Sequence, residues 1–118
     1  MPERHLLCDI STIEDPGSRG FILEWQGESI ALFVVRRGEV LKAYKNSCPH
    51  TGVNLEWRPD QFLDLSNSYI QCATHGALFR LEDGYCLRGP CAGDALESVE
   101  VRLESSRVVA ILDKKTGS

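Results

Sequence analysis

Along this chain apolar residues recur at every second position over short stretches, and turn-forming residues separate the stretches. Residues 6–10 predict a first strand. Ser11-Thr12-Ile13-Glu14 reads as the capped start of a single turn, closed by Asp15-Pro16-Gly17. Residues 20–26 alternate, with Phe21, Leu23 and Trp25 on one face. After Gln26-Gly27-Glu28, residues 29–37 are dense in Ile, Val and Phe, the pattern of a buried strand. Arg37-Gly38-Glu39 turns the chain back into residues 40–45. Further on, residues 62–65 and 69–72 predict a hairpin across Ser66-Asn67-Ser68, and residues 78–81 and 85–87 another across Glu82-Asp83-Gly84, where Asp-Gly is good turn chemistry. Residues 98–104 would set Val99, Val101 and Leu103 inward, and residues 108–112 follow after Ser105-Ser106-Arg107. The tail, residues 114–118, is expected to fray. No helical period of useful length is present, so the prediction is an all-β sandwich or barrel.

Composition narrows this picture. At 118 residues the expectation is one domain, residues 1–118, small enough to gain from a metal staple. The net charge of −4 argues against nucleic acid, whose binders are basic. It suits a solvated surface or a weakly acidic face docking on a basic patch of a partner. No apolar run approaches the roughly 18–20 residues of a membrane span, and the first residues lack a signal-peptide core. A cytoplasmic protein without a membrane anchor is expected. Nothing resembles a phosphate loop, a nicotinamide fingerprint or a His beside a nucleophile, so no catalytic site is expected.

The candidate chemistry sits in two stretches, Asn46-Ser47-Cys48-Pro49-His50-Thr51-Gly52 and Cys72-Ala73-Thr74-His75-Gly76-Ala77-Leu78-Phe79. Each offers one thiol and one imidazole, as Cys-x-His and then Cys-x-x-His. Four such ligands in two loops point to zinc or iron–sulfur. A zinc finger usually takes two Cys from one half and two His from the other. One of each per loop suits a two-iron cluster, with the Cys pair on one iron and the His pair on the other. A zinc-stapled interaction module without a redox role stays open as the alternative.

The pattern resembles the Rieske [2Fe-2S] family. It rests on Cys48, His50, Cys72 and His75, with Gly52 and Gly76 after the pairs and Gly89-Pro90 beyond, and extends over residues 6–112. One departure is the long gap from His50 to Cys72. The resemblance implies an antiparallel β-sandwich with a small cluster-binding subdomain at one tip, its loops about residues 46–54 and 72–79. It implies one [2Fe-2S] cluster, with Cys48 and Cys72 as thiolates on the inner iron, His50 and His75 on the outer iron, and Gly89-Pro90 in the segment covering it. High-potential members carry a hydroxyl two residues after the second ligand His, a Tyr two further on, and a disulfide between the loops. The matching positions here are Ala77, Phe79, Val53 and Thr74, which implies a low-potential centre. The expected role is a monomeric one-electron carrier, the ferredoxin of a multicomponent oxygenase, between a flavin reductase and the oxygenase. The alternative is the small subunit of an oxidoreductase such as assimilatory nitrite reductase, bound to a large subunit. The remaining Cys8, Cys86 and Cys91 are an odd number, which suits free thiols in a reducing compartment. Cys8 is expected in the core, and Cys86 and Cys91 could pair only if their backbones meet.

Overall fold

The computed structural model describes residues 3–25, 27–38, 40–46, 62–64, 66, 68–72, 76–89 and 93–112. In chain order these form β1 (Glu3–Asp9), a 3-10 turn (Ile10–Thr12), β2 (Gly17–Trp25), β3 (Glu28–Arg37), β4 (Val40–Lys45), β5 (Tyr69–Gln71), β6 (Leu78–Arg80), β7 (Cys86–Arg88), β8 (Ser98–Glu104) and β9 (Arg107–Leu112). Every strand pair is antiparallel. Six strands make one sheet, in the order β1-β9-β8-β4-β3-β2, and three make a second, β5-β6-β7. The chain is thus all-β and antiparallel, with a small sheet added to a large one.

β3 explains how the two parts share one molecule. Side chains alternate across a strand. Leu32 and Val34 enter a core with Ile13, Ala43, Val99, Val108 and Ala110, bordered by Phe21, Leu23 and Trp25. Phe33 and Val35 enter a second core with Phe62, Ile70, Phe79 and Leu96, which joins the large sheet to the small one. The Phe33 and Phe62 rings stack with centroids 4.3 Å apart. A strand buried on both faces has no place for a polar side chain, hence the unbroken apolar run.

Tyr44 of β4 crosses between the layers: its hydroxyl donates to Leu81 O at 2.7 Å. Burial strips water from the phenolate and pushes the Tyr44 pKa well above the usual tyrosine range. The β6–β7 turn closes directly on this ring. Gly84 sits at φ +72, and a Cβ there would lie 2.8 Å from Tyr44 Cε1.

Several expectations are corrected. The 3-10 turn is capped by Asp9, whose carboxylate accepts from Ser11 N at 2.9 Å, and not by the Ser11 start. The expected hairpin of residues 62–65 with 69–72 is present but short: Gln71 N donates to Phe62 O and Asp64 N to Tyr69 O, both at 2.9 Å, around the Leu63–Ile70 bridge, and the Asp64 carboxylate accepts from Ser66, Ser68 and Tyr69 at the turn. Leu103 is 54% exposed. Among the described residues β8 pairs with β4 at Ala43–Val99 and Tyr44–Ser98, so the end of the β8–β9 hairpin runs past β4 and Leu103 joins neither core. Cys8 is half-buried at the rim of the first core. Residues 114–118, Trp57 and Cys91 lie outside the described residues.

Candidate metal centre

The first loop begins where β4 runs out. Asn46 N donates to Ala31 O at 2.9 Å, extending the ladder by one residue, and Lys45 N donates to Glu97 O at 2.9 Å. Asn46 is the buried polar residue of the described chain. On the return side Phe62 N donates to Ser18 Oγ at 3.1 Å. Both ends of the segment carrying Cys48 and His50 are thereby fixed to the large sheet. Cys48 and His50, like His75, lie outside the described residues.

The second loop connects β5 to β6. At its base Cys72 N donates to Ala77 O at 2.9 Å, and Gly76 N donates to Cys72 O at 2.8 Å. Gly76 takes φ +65, the left-handed conformation that this closure uses and that favours glycine. Cys72 and Ala77 are both buried. Gly89, at φ +107 after β7, presses on the same base: a Cβ there would lie 2.9 Å from the Cα and Cβ of Ala77. The Gly89-Pro90 segment therefore starts against the ligand loop, with Pro90 itself outside the described residues.

Cys72 tests the fit to a cluster. Its thiol is fully buried and forms no disulfide. Cys72 is thus a buried, unbridged soft donor, and at this one described candidate ligand position the chemistry suits iron–sulfur, which takes cysteine as thiolate. Ala77 and Phe79 are buried and bring no side-chain donor to this base. The sequence does not single out Tyr44, which supports the loops from β4; it marks Gly84 as part of a turn and Asn46 as the start of the first candidate stretch, neither as a support.

Beside the loop, the outer face of the small sheet exposes Tyr69, Tyr85 and Leu87. The Arg80 guanidinium lies 5.2 Å from the Tyr85 ring centroid and bonds Asp83, with Nε to Oδ1 at 3.0 Å. That bond, with the Tyr85 N–H, holds the Asp83 carboxyl below the usual carboxylate range.

The model of the Rieske [2Fe-2S] domain matches residues 4–107. Among solved structures, a chain from a complex of reduced oxygenase and oxidized ferredoxin in carbazole 1,9a-dioxygenase is 25% identical, with a TM-score of 0.74 and 95% of each chain covered. The ferredoxin of carbazole 1,9a-dioxygenase from Nocardioides aromaticivorans is 17% identical, with a TM-score of 0.70, 91% of this chain and 95% of that one covered. A chain proposed as the NADH-dependent nitrite reductase small subunit of Mycobacterium tuberculosis is also 17% identical, with a TM-score of 0.71, 98% of this chain and 99% of that one covered. A search of curated proteins found no match. With the family pattern running through nearly the whole length and a buried thiol at the head of a closed loop, the chain belongs to the Rieske [2Fe-2S] domain family and carries one [2Fe-2S] cluster.

Proposed function

We propose that this chain is a one-electron carrier, the ferredoxin component of a multicomponent oxygenase system, reduced by a flavin reductase and oxidised by the oxygenase. Cys48 and Cys72 hold one iron as thiolates, and His50 and His75 hold the other through neutral nitrogens. The bound cluster supplies reversible one-electron chemistry. The chain's own part is to hold it in shape. The closed base between Cys72 and Ala77 keeps the Cys72 sulfur out of water, and Gly89 locks that base from the other side. Ala77 and Phe79 withhold hydroxyls from the centre, which leaves it at the low-potential end of the family.

The observation that carries this reading is the buried, unbridged Cys72 in a loop whose base is closed by two backbone hydrogen bonds. The oxygenase partner is drawn from the likeness to the oxygenase–ferredoxin complex. No helix among the described residues is long and apolar enough to cross a membrane. We place the protein in the cytosol, where Cys8, Cys86 and Cys91 stay reduced. The nitrite reductase likeness favours a second reading, a permanently bound small subunit.

The test begins with iron, zinc and acid-labile sulfide analysis of freshly isolated protein, followed by electron paramagnetic resonance after dithionite reduction. One zinc with no sulfide would end the carrier reading and leave a zinc-stapled module. A stable complex with a catalytic large subunit, in place of rapid exchange with reductase and oxygenase, would select the small-subunit reading.

A further inference from the structure

β2 ends the large sheet, and among the described strands β3 is its only bonded neighbour. Which of its residues face outward follows from the ladder. Asn46 N donates to Ala31 O, so odd-numbered β3 residues bond toward β4. Ile30, Leu32, Val34 and Arg36 then bond toward β2, where their partners are Leu23, Phe21, Arg19 and Gly17. The even-numbered residues of β2 turn their N–H and C=O away from the sheet. At Ser18 this edge is covered by Phe62, which donates to its hydroxyl. At residues 22–24 it is open. Among the described residues no backbone hydrogen bond reaches Ile22 or Glu24 from outside. Ile22 is 75% exposed, more than any other large apolar side chain described. β2 pairs with β3 from Gly17 to Trp25 without a register shift, and it contains no Pro or Lys. Proline, lysine and a bulge, three of the devices that blunt a sheet edge, are thus missing here, and Glu24 is the one charge on the open stretch.

We propose that this edge pairs with the same edge of a second copy of the chain, antiparallel about a twofold axis through Leu23. The proposal is independent of the electron-carrier reading. In this register Ile22 meets Glu24 of the second copy, and each such pair exchanges both N–H···O bonds without disturbing the β2–β3 ladder. The pattern is its own complement: Leu23 faces its symmetry mate and Phe21 faces Trp25, so an aromatic–Leu–aromatic row reads alike in both directions. These three side chains are only half-buried within one chain. The Glu24 carboxylate accepts from Ser29 Oγ at 2.6 Å on its own chain. The two Glu24 charges still share one face, so salt strengthens the pair. One short strand pairing buries less than the roughly 1,000 Å² of a stable interface, and the dimer is therefore weak and concentration-dependent.

Sedimentation velocity of the full, cluster-loaded chain, from roughly 10 µM to roughly 1 mM, reads this directly. The weight-average mass is expected to rise from that of one chain toward that of two, more readily at high salt. Hydrogen exchange over the same range should slow at the amides of Ile22 and Glu24. Ile22→Pro removes only an outward N–H, and Ile22→Lys charges the edge. Both should stay monomeric while keeping the visible spectrum of the cluster. A mass that stays at one chain throughout overturns the proposal and leaves the edge to water or to an extended segment of another protein. A dimer that both variants retain, or amides at 22 and 24 that exchange alike at all concentrations, overturns it equally.

Discussion

The Tyr44 hydroxyl is a polar tie between the large sheet and the small one, set in the core they share. Tyr44→Phe leaves the Leu81 carbonyl buried without its donor, and the expected cost is about 1–3 kcal/mol, read by urea unfolding. The same residue sets a pH response. The folded chain holds the Tyr44 proton to higher pH than the unfolded chain does, and unfolded tyrosine ionises near pH ~10. Above that value the unfolded state binds fewer protons, so stability falls as pH rises. The Tyr44→Phe variant should lose stability less steeply over the same alkaline range. Gly84→Ala would drive a Cβ into the Tyr44 ring from a left-handed backbone, with an expected loss of about 1–3 kcal/mol. Asp83-Gly84 was legible as a turn. That its glycine also makes room for Tyr44 was not, because the contact joins residues far apart in the chain.

At the scale of elements, alternation located the strands well and their surroundings poorly. The run through residues 29–37 announced β3, since a strand buried on both faces must be apolar throughout. Val99, Val101 and Leu103 alternate just as cleanly, yet Leu103 is exposed, because alternation records a face and not what covers it. The β8–β9 turn places Ser105 at φ 49 and Ser106 at φ 71, where L residues other than Asn and Gly are disfavoured. Replacing the pair by Asn-Gly should stabilise the hairpin by about 0.5–1 kcal/mol in thermal or urea unfolding. The second ligand loop is the opposite case, since it has no slack. Gly89→Ala would push on Ala77, so the expected outcome is less iron and sulfide bound per chain and a shifted electron paramagnetic resonance spectrum.

For the whole molecule, the pairing of one Cys with one His in each of two loops was the most informative thing in the sequence, because ligand chemistry restricts residue type as packing does not. The support of those loops was illegible: it depends on β3 and β4 serving two cores at once. Ala77 and Phe79 lead to an expected midpoint potential near the lower end of the roughly −150 to +300 mV Rieske range. Redox titration checks this, and a value above about +100 mV on that scale would contradict it. Removing the iron with a chelator should raise hydrogen exchange at Cys72, Gly76 and Ala77 and lower the melting temperature, while amides of β3 and β4 remain protected.

The strand that lines both interiors has a consequence for the life of the protein. Phe33, Val35 and Tyr44 are anchored in the large sheet yet share a core with Cys72 and Ala77. Loss of the inorganic cargo is therefore expected to loosen the seat and leave the scaffold standing. Iron and sulfide added back to the stripped polypeptide should then restore its colour, which visible absorption checks.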